Sequence, residues 1–215
     1  ILASLKMDAD TIIAGLLHDV VEDCEVSLKT VKKEFGTNVA KLVDGMTKLL
    51  QLDDKLKDQS QAEYFQKMAL ATAEDVRVVI IKLADRLHNL QTIEHLPRDK
   101  QIKKAKETLE LYAPLAHQIG MHKMATDLED HSFKTIHPFR HNLIEQALKK
   151  NELNRKTLIS KVKKTLKAKF KKNKLEAGTK GRRKRIYSIY QKMRAKHKSF
   201  ADIYDVFAFR VTVEK

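Results

Sequence analysis

Apolar residues return at helical spacing along most of this chain. Between Asp10 and Val21 they are Ile12, Ile13, Leu16, Leu17, Val20 and Val21, so the pattern predicts a helix with Asp10 available as its N-cap. On such a helix His18 and Glu22 share one stripe, Asp19 and Asp23 the next. Ser27 opens a second helix, with Leu28, Val31 and Phe35 on its apolar side and Gly36 as its stop. A third starts at Asn38 and runs through Val39, Leu42, Val43 and Met46. The polar stretch from Gln51 to Gln61 reads as a solvent-facing loop or frayed helix end that could cover a pocket, and helix resumes from Ala62 to Ala73. The segment from Val76 to Leu90 contains the β-branched run Val78-Val79-Ile80-Ile81, but its length and the spacing of Leu83, Leu87 and Leu90 favour helix.

A further helix spans about Asp99 to His117 and includes Pro114, which should kink or loosen it. Residues 139–173 form a long basic helix or helix pair whose inner face would carry Leu143, Ile144, Leu148, Leu158, Ile159, Val162, Leu166 and Phe170. Glu176 to Gly181, with two glycines, reads as a loop, and a short helix with Ile186, Ile189, Tyr190 and Met193 follows. Val206, Phe207, Phe209, Val211 and Val213 then read as a β-strand without a visible partner. That strand points to the beginning of a second domain.

Six Gly, three Pro and no Trp among 215 residues, with abundant Lys, Leu, Ala, Glu and Gln, fit a mainly α-helical protein. No stretch reaches the roughly 18 to 20 apolar residues of a membrane span and no secretory leader is visible, so a soluble, intracellular protein is expected. The single Cys24 cannot form an internal disulfide; without an identifiable base beside it, it reads as a packing or surface residue. Charge is unevenly spread. Residues 1–140 hold 20 basic against 22 acidic side chains, residues 141–200 hold 21 against 3, and residues 201–215 hold 2 against 3. The basic segment should seek polyanions such as nucleotide phosphates or RNA.

The chemistry concentrates at His18-Asp19-Val20-Val21-Glu22-Asp23 and Lys82-Leu83-Ala84-Asp85-Arg86-Leu87-His88-Asn89. A neutral imidazole nitrogen and hard carboxylate oxygens suit Mn²⁺, Fe²⁺, Zn²⁺ or Mg²⁺ without selecting one. Such an ion lowers the pKa of a water and polarises a phosphoryl oxygen. Glu22 and Asp23, one turn on, could hold that water or shuttle a proton. A lone His-Asp dipeptide is usually a surface pair, but four polar groups on an apolar segment would be costly to bury unpaired. Asp85 and Asn89 share a face at i and i+4. His88 reads better as a core or hydrogen-bonded supporting residue than as a ligand. Lys82 and Arg86 fit a phosphate contact or a structural ion pair equally well.

These motifs, with Phe35-Gly36, Leu42-Val43-Asp44-Gly45-Met46-Thr47-Lys48-Leu49 and Tyr112-Ala113-Pro114-Leu115-Ala116-His117, resemble the HD hydrolase half of the bifunctional RelA/SpoT (Rel, RSH) proteins, the enzymes of the alarmone (p)ppGpp. The run Gly181-Arg182-Arg183-Lys184-Arg185-Ile186-Tyr187-Ser188-Ile189-Tyr190-Gln191-Lys192-Met193, with Ile203-Tyr204-Asp205-Val206-Phe207-Ala208-Phe209-Arg210-Val211, resembles the start of their synthetase half. The fold so implied is a helical HD-type metal phosphohydrolase domain with helical linker over residues 1–137. The start of an α/β nucleotidyltransferase-like synthetase domain would follow over 138–215.

The resemblance implies hydrolysis of the 3′-pyrophosphate of (p)ppGpp to GDP or GTP and pyrophosphate with Mn²⁺, in an enzyme that also makes (p)ppGpp from ATP and GTP or GDP. His18, Asp19 and Asp85 would be metal ligands, with a fourth, a histidine, expected upstream of Ile1. Glu22 and Asp23 would activate water. Asn89 and Thr92 would hold the nucleotide, and Lys82 or Arg86 would reach its phosphates. In the synthetase half Arg182, Lys184 and Lys192 would bind ATP phosphates and Asp205 would bind Mg²⁺. The family's second synthetase carboxylate would lie beyond Lys215, so these residues by themselves are not expected to synthesise. A lone cysteine suits a reducing cytosol, so a cytoplasmic location is expected, and the resemblance implies ribosome or regulatory partners through further regions. Two other classes compete: another HD-type nucleotide phosphohydrolase, which leaves the Arg182–Arg210 run unexplained, and a vestigial-site RNA- or ribosome-binding module.

Overall fold

The computed structural model describes residues 1–24, 26–55, 74–150, 152–173, 175–203 and 206–213. The protein is mainly α and divides into two compact units, Ile1–Ser132 and Phe133–Lys215. In the first unit, α1 (Ala9–Leu16) starts one residue before the expected cap: the Asp8 carboxylate, not that of Asp10, accepts the Thr11 amide at 2.8 Å. Asp10 instead accepts from the Asn38 side chain at 3.1 Å. The helix expected to continue to Val21 breaks at residues 17–19 and restarts as α2 (Val20–Asp23). A continuing helix would direct the Asp19 amide to the Gly15 carbonyl; here the His18 ring, at 3.0 Å, takes that carbonyl.

Helix α3 (Leu28–Phe35) is capped by Ser27, whose hydroxyl accepts the Thr30 amide at 3.2 Å. It ends at Gly36, whose φ of 90° favours glycine. Helix α4 (Thr37–Lys55) turns Val39, Leu42, Val43, Met46 and Leu49 inward and packs against α1, α3 and α5 (Val76–Gln91). Residues 51–55, read as a loop or a frayed helix end, continue α4 as helix; the rest of the Gln51–Gln61 stretch and the Ala62–Ala73 helix lie outside the described residues. The strand alternative for Val78–Ile81 gives way to helix, with three of those four side chains buried together with Leu83, Leu87 and Leu90. Phe35 and Leu16, expected inside, are exposed by 47% and 80%.

Helix α6 (Arg98–Glu107) passes without interruption into a π-helical segment (Thr108–Tyr112) and α7 (Ala113–Gln118). The loosening expected near Pro114 takes this form. A widened turn accommodates a residue that has no amide hydrogen and whose ring crowds the preceding turn. Helix α8 (His122–Ile136) follows and runs past the division between the units.

The basic segment of the second unit is a pair of helices, α9 (Pro138–Lys150) and α10 (Glu152–Lys172). Ile144 and Leu148 are buried, and Ile159, Val162, Leu166 and Phe170 are half-buried. Leu143 departs from the expected inner face and is half exposed, while the Leu158 side chain lies outside the described set. The expected Glu176–Gly181 loop is instead largely strand β1 (Ala177–Arg183), paired antiparallel with β2 (Phe207–Val213) from Ala177 opposite Val213 to Arg183 opposite Phe207. The C-terminal strand thus finds its partner in a Gly-, Lys- and Arg-rich run of low intrinsic strand preference. Tertiary pairing overrides propensity there. Between the strands, α11 (Ile186–Ala195) inserts Ile186, Ile189 and Tyr190 into a core with Phe133, Ile144, Leu148, Ile203 and Val206, the Tyr190 ring stacked 4.4 Å from that of Phe133.

Two predictions concern α5. An ideal Cβ on Gly45 would lie 2.7 Å from Cγ2 of buried Val78. Gly45→Ala gains up to about 1 kcal/mol of helix propensity, but overpacking a stiff β-branched side chain costs about 1–3 kcal/mol, so net destabilisation is expected in urea melts. Asp75 caps α5 by accepting the Arg77 amide at 2.9 Å, and its carboxylate pairs with the Arg77 guanidinium at 2.7 Å. That hydrogen bond, stronger than the opposing effect of burial, holds Asp75 below its ordinary value of 3.8. A depressed carboxylate contributes stability above the unfolded-state value, and that contribution is lost as pH falls through the folded value. The stability difference between wild type and Asp75→Asn should therefore shrink from about pH 5 to about pH 2 in denaturant titrations.

Candidate functional site

The break between α1 and α2 places His18 opposite the middle of α5. Its Nε2 lies 2.8 Å from an Asp19 oxygen and 3.5 Å from an Asp85 oxygen, so two carboxylates 66 positions apart in the sequence meet at one nitrogen. The Gly15 carbonyl faces Nδ1 at 3.0 Å, which assigns the hydrogen to Nδ1 when the ring is neutral and leaves the Nε2 lone pair toward the carboxylates. Although Asp19 is nearer, it is half exposed; Asp85 is more enclosed, and its charge acts through less water. The hydrogen bond to Asp85 raises the His18 imidazole above its ordinary 6.5, against the effect of burial. Burial pushes Asp85 upward, but His18, with the charges of Lys82 and Arg86, leaves it below the usual carboxylate value. Asp19 is raised, first by burial and then by the neighbouring Asp85 and Asp23, with His18 opposing.

The remaining residues of this region divide by position. Asn89 donates to Asp85 at 2.8 Å and so orients that carboxylate. Lys82 is buried on α5, its charge felt at both Asp85 and Asp19. Glu22 and Asp23 are exposed on α2, and their amides donate to the Asp19 carbonyl at 3.1 and 2.8 Å. Thr92 ends α5 with its hydroxyl on the His88 carbonyl at 3.1 Å. His88, expected in the core or behind a ligand, is instead exposed. It lines a cleft of about 450 Å³ with His18, Asp85 and the apolar Ile12, Leu16 and Ile81.

Arg86 forms a structural ion pair. Its guanidinium forks onto Glu107 at 3.2 and 3.3 Å, donates to the Tyr112 hydroxyl at 2.8 Å and lies 4.1 Å above the Tyr112 ring. The bracket joins α5 to the π-helical segment. Glu107, Tyr112 and Gly15 are residues that spacing does not single out, because each acts across the fold or through its backbone.

By donor chemistry, one imidazole nitrogen and two carboxylates fit a divalent cation. As they stand, the imidazole itself occupies the point where the carboxylates converge, and among the described residues no group of three or more His, Cys, Asp or Glu has the spread of a metal cage. In the second unit, Lys184 and Lys192 are half-buried; the backbone of Arg182 belongs to β1, while its side chain and all of Asp205 lie outside the described set. Lys180 and Arg210 face each other across the ladder. Among the described residues, no helix is long and apolar enough to cross a membrane.

Residues 1–122 match the family model of the HD domain, and residues 181–215 match the region found in RelA/SpoT proteins. The chain belongs to the HD-domain family, with a RelA/SpoT region following in the same polypeptide. It is 42% identical over 214 residues to guanosine-3′,5′-bis(diphosphate) 3′-pyrophosphohydrolase of Vibrio cholerae, covering 100% of this chain and 30% of the relative. It is also 42% identical over 213 residues to the bifunctional (p)ppGpp synthase/hydrolase SpoT of Escherichia coli K12, covering 99% and 30%. Identity to a GTP pyrophosphokinase of Streptomyces coelicolor is 44% over 216 residues, covering 100% and 25%. The chain thus spans less than a third of the length of these relatives.

The Arg86 bracket predicts a separation of roles. Arg86→Lys keeps the charge but loses the fork and the ring contact, and should lower unfolding free energy by about 1–3 kcal/mol in urea melts. Asn89→Ala, at an exposed position, should change it by less than about 0.5 kcal/mol.

Proposed function

We propose that the complete protein is a bifunctional cytoplasmic enzyme of guanosine alarmones. It hydrolyses the 3′-pyrophosphate of ppGpp or pppGpp to GDP or GTP plus pyrophosphate, and it makes (p)ppGpp from ATP and GTP or GDP. The observation that carries this reading is the meeting of His18, Asp19 and Asp85 beside a cleft large enough for part of a nucleotide. The names of the relatives supply the substrate.

In this proposal residues 1–137 form the hydrolase with its helical linker, and 138–215 are the N-terminal part of the synthetase. His18, Asp19 and Asp85 hold one Mn²⁺ with a further histidine from upstream, and the ion when bound supplies Lewis acidity and a water of lowered pKa. Gly15 fixes the His18 tautomer that presents Nε2, and Asn89 holds Asp85 in the matching orientation. Glu22 and Asp23, solvent-facing beside Asp19, accept the proton of the attacking water. Lys82 offsets the negative charge of the aspartates, and Thr92 and Asn89 face the nucleotide. Arg86 positions α5 through Glu107 and Tyr112.

In the synthetase half Arg182, Lys184 and Lys192 contact ATP phosphates and Asp205 holds Mg²⁺. The facing cations Lys180 and Arg210 support an anionic ligand there, since like charges directly opposed in a ladder are destabilising and an anion relieves them. Ribosomal or regulatory partners would act through other parts of the complete protein.

The test is incubation of the full-length protein with Mn²⁺ and ppGpp. GDP and pyrophosphate should form, and His18→Ala or Asp85→Ala should reduce that rate on the order of 10³-fold or more while synthesis persists. Undiminished hydrolysis by both variants overturns the assignment. Turnover of other nucleotides with ppGpp untouched assigns a different HD phosphohydrolase.

A further inference from the structure

Away from the His18 region, the turn from α7 to α8 gathers a second set of metal-ligating groups. His117 lies in the last turn of α7, Gly120 reverses the chain with a φ of 79°, and His122 opens α8. His117 Nδ1 and His122 Nδ1 are 3.4 Å apart, and on the opposite side of the first ring His117 Nε2 is 3.3 Å from a Glu129 oxygen. The three residues all belong to the first unit. His122 is exposed, the His117 side chain is 42% exposed and that of Glu129 17%, so the pair of rings is open to solvent while the carboxylate behind them is enclosed.

The tautomer follows from the acceptor. An ionised carboxylate can only accept, so a neutral His117 carries its hydrogen on Nε2 and turns the lone pair of Nδ1 toward His122. The separation of the two nitrogens, 3.4 Å, is that of a long hydrogen bond between the rings. It equals the separation of about 3.4 Å that two nitrogens take when each is about 2.1 Å from one tetrahedral ion. A carboxylate behind a histidine, fixing its orientation and raising its basicity, is the support that metal-bound imidazoles use.

We propose that His117 and His122 form a second cation site, selective for borderline divalent ions such as Zn²⁺ or Ni²⁺, with Glu129 as the positioning residue. Two imidazole donors favour these ions over Mn²⁺ and Mg²⁺, unlike the oxygen-rich set of His18, Asp19 and Asp85. Among the described residues no third His, Cys, Asp or Glu completes a cage, so water fills the remaining positions. The bound ion ties the end of α7 to the start of α8.

The experiment titrates the 215-residue chain with Zn²⁺ alone, read by calorimetry and by the imidazole signals in NMR spectra. Wild type should bind one equivalent more than His122→Gln, a substitution at an exposed position whose metal-free melting temperature should match wild type. His95→Gln, at another exposed histidine, should retain the full stoichiometry. Glu129→Gln should keep the equivalent but weaken it about 10- to 100-fold. Saturation at a hundredfold excess over Kd should raise Tm on the order of 5 °C in wild type relative to His122→Gln. Equal stoichiometry in wild type and His122→Gln, or loss of the extra equivalent in His95→Gln, overturns the proposal.

Discussion

An enclosed carboxylate in the middle of an apolar helix is stable only if something nearby carries the opposite charge or a coordinating bond. For Asp85 that partner is the imidazole of His18, and much of the first unit serves the meeting of these two side chains. Bringing His18 to α5 requires α1 to stop, and the ring itself takes the carbonyl that would have continued the helix. Holding α5 in place requires its capped start at Asp75, its close approach to α4 at Gly45 and the Arg86 fork on Glu107 and Tyr112. The imidazole set between the two aspartates answers that electrostatic problem in the structure.

The second unit solves a different problem, the confinement of many like charges. Its core is small and aromatic, built on Phe133, Tyr190 and the aliphatic residues of α9 and α11, and Arg140 reaches the Tyr190 hydroxyl at 2.6 Å. Among the described side chains of α10 the lysines stand outward, while Ile159, Val162, Leu166 and Phe170 form its half-buried stripe. Mutual repulsion among such cations weakens as salt rises.

Helical periodicity made most of the first unit legible, because α3, α4 and α5 each bury residues at helical spacing against another helix and so carry the period in their sequence. The motif pairing of His18-Asp19 with Asp85 was legible through resemblance, whereas its physical basis was not. Whether a helix runs through His18 or breaks there depends on a side chain competing for one carbonyl, which leaves no trace in hydrophobic spacing. The ion pair of Arg86 depends on Glu107 and Tyr112, to which no spacing in the sequence connects it. Leu16, Phe35 and Leu143 satisfy a helical pattern and are nonetheless exposed, since periodicity locates a face and not what covers it. Strand β1 was hidden for the opposite reason. Its glycines and cations mimic a loop, and its partner lies some thirty residues downstream.

That distance orders events when the polypeptide is being made. Residues 177–183 emerge well before 207–213, so for an interval β1 exposes backbone amides and carbonyls with nothing to receive them. Its composition suits the wait: Lys180, Arg182 and Arg183 repel other extended segments, and Gly178 and Gly181 offer them little to grip. The traits that disguise this strand are thus the ones that keep a lone edge from recruiting the wrong neighbour.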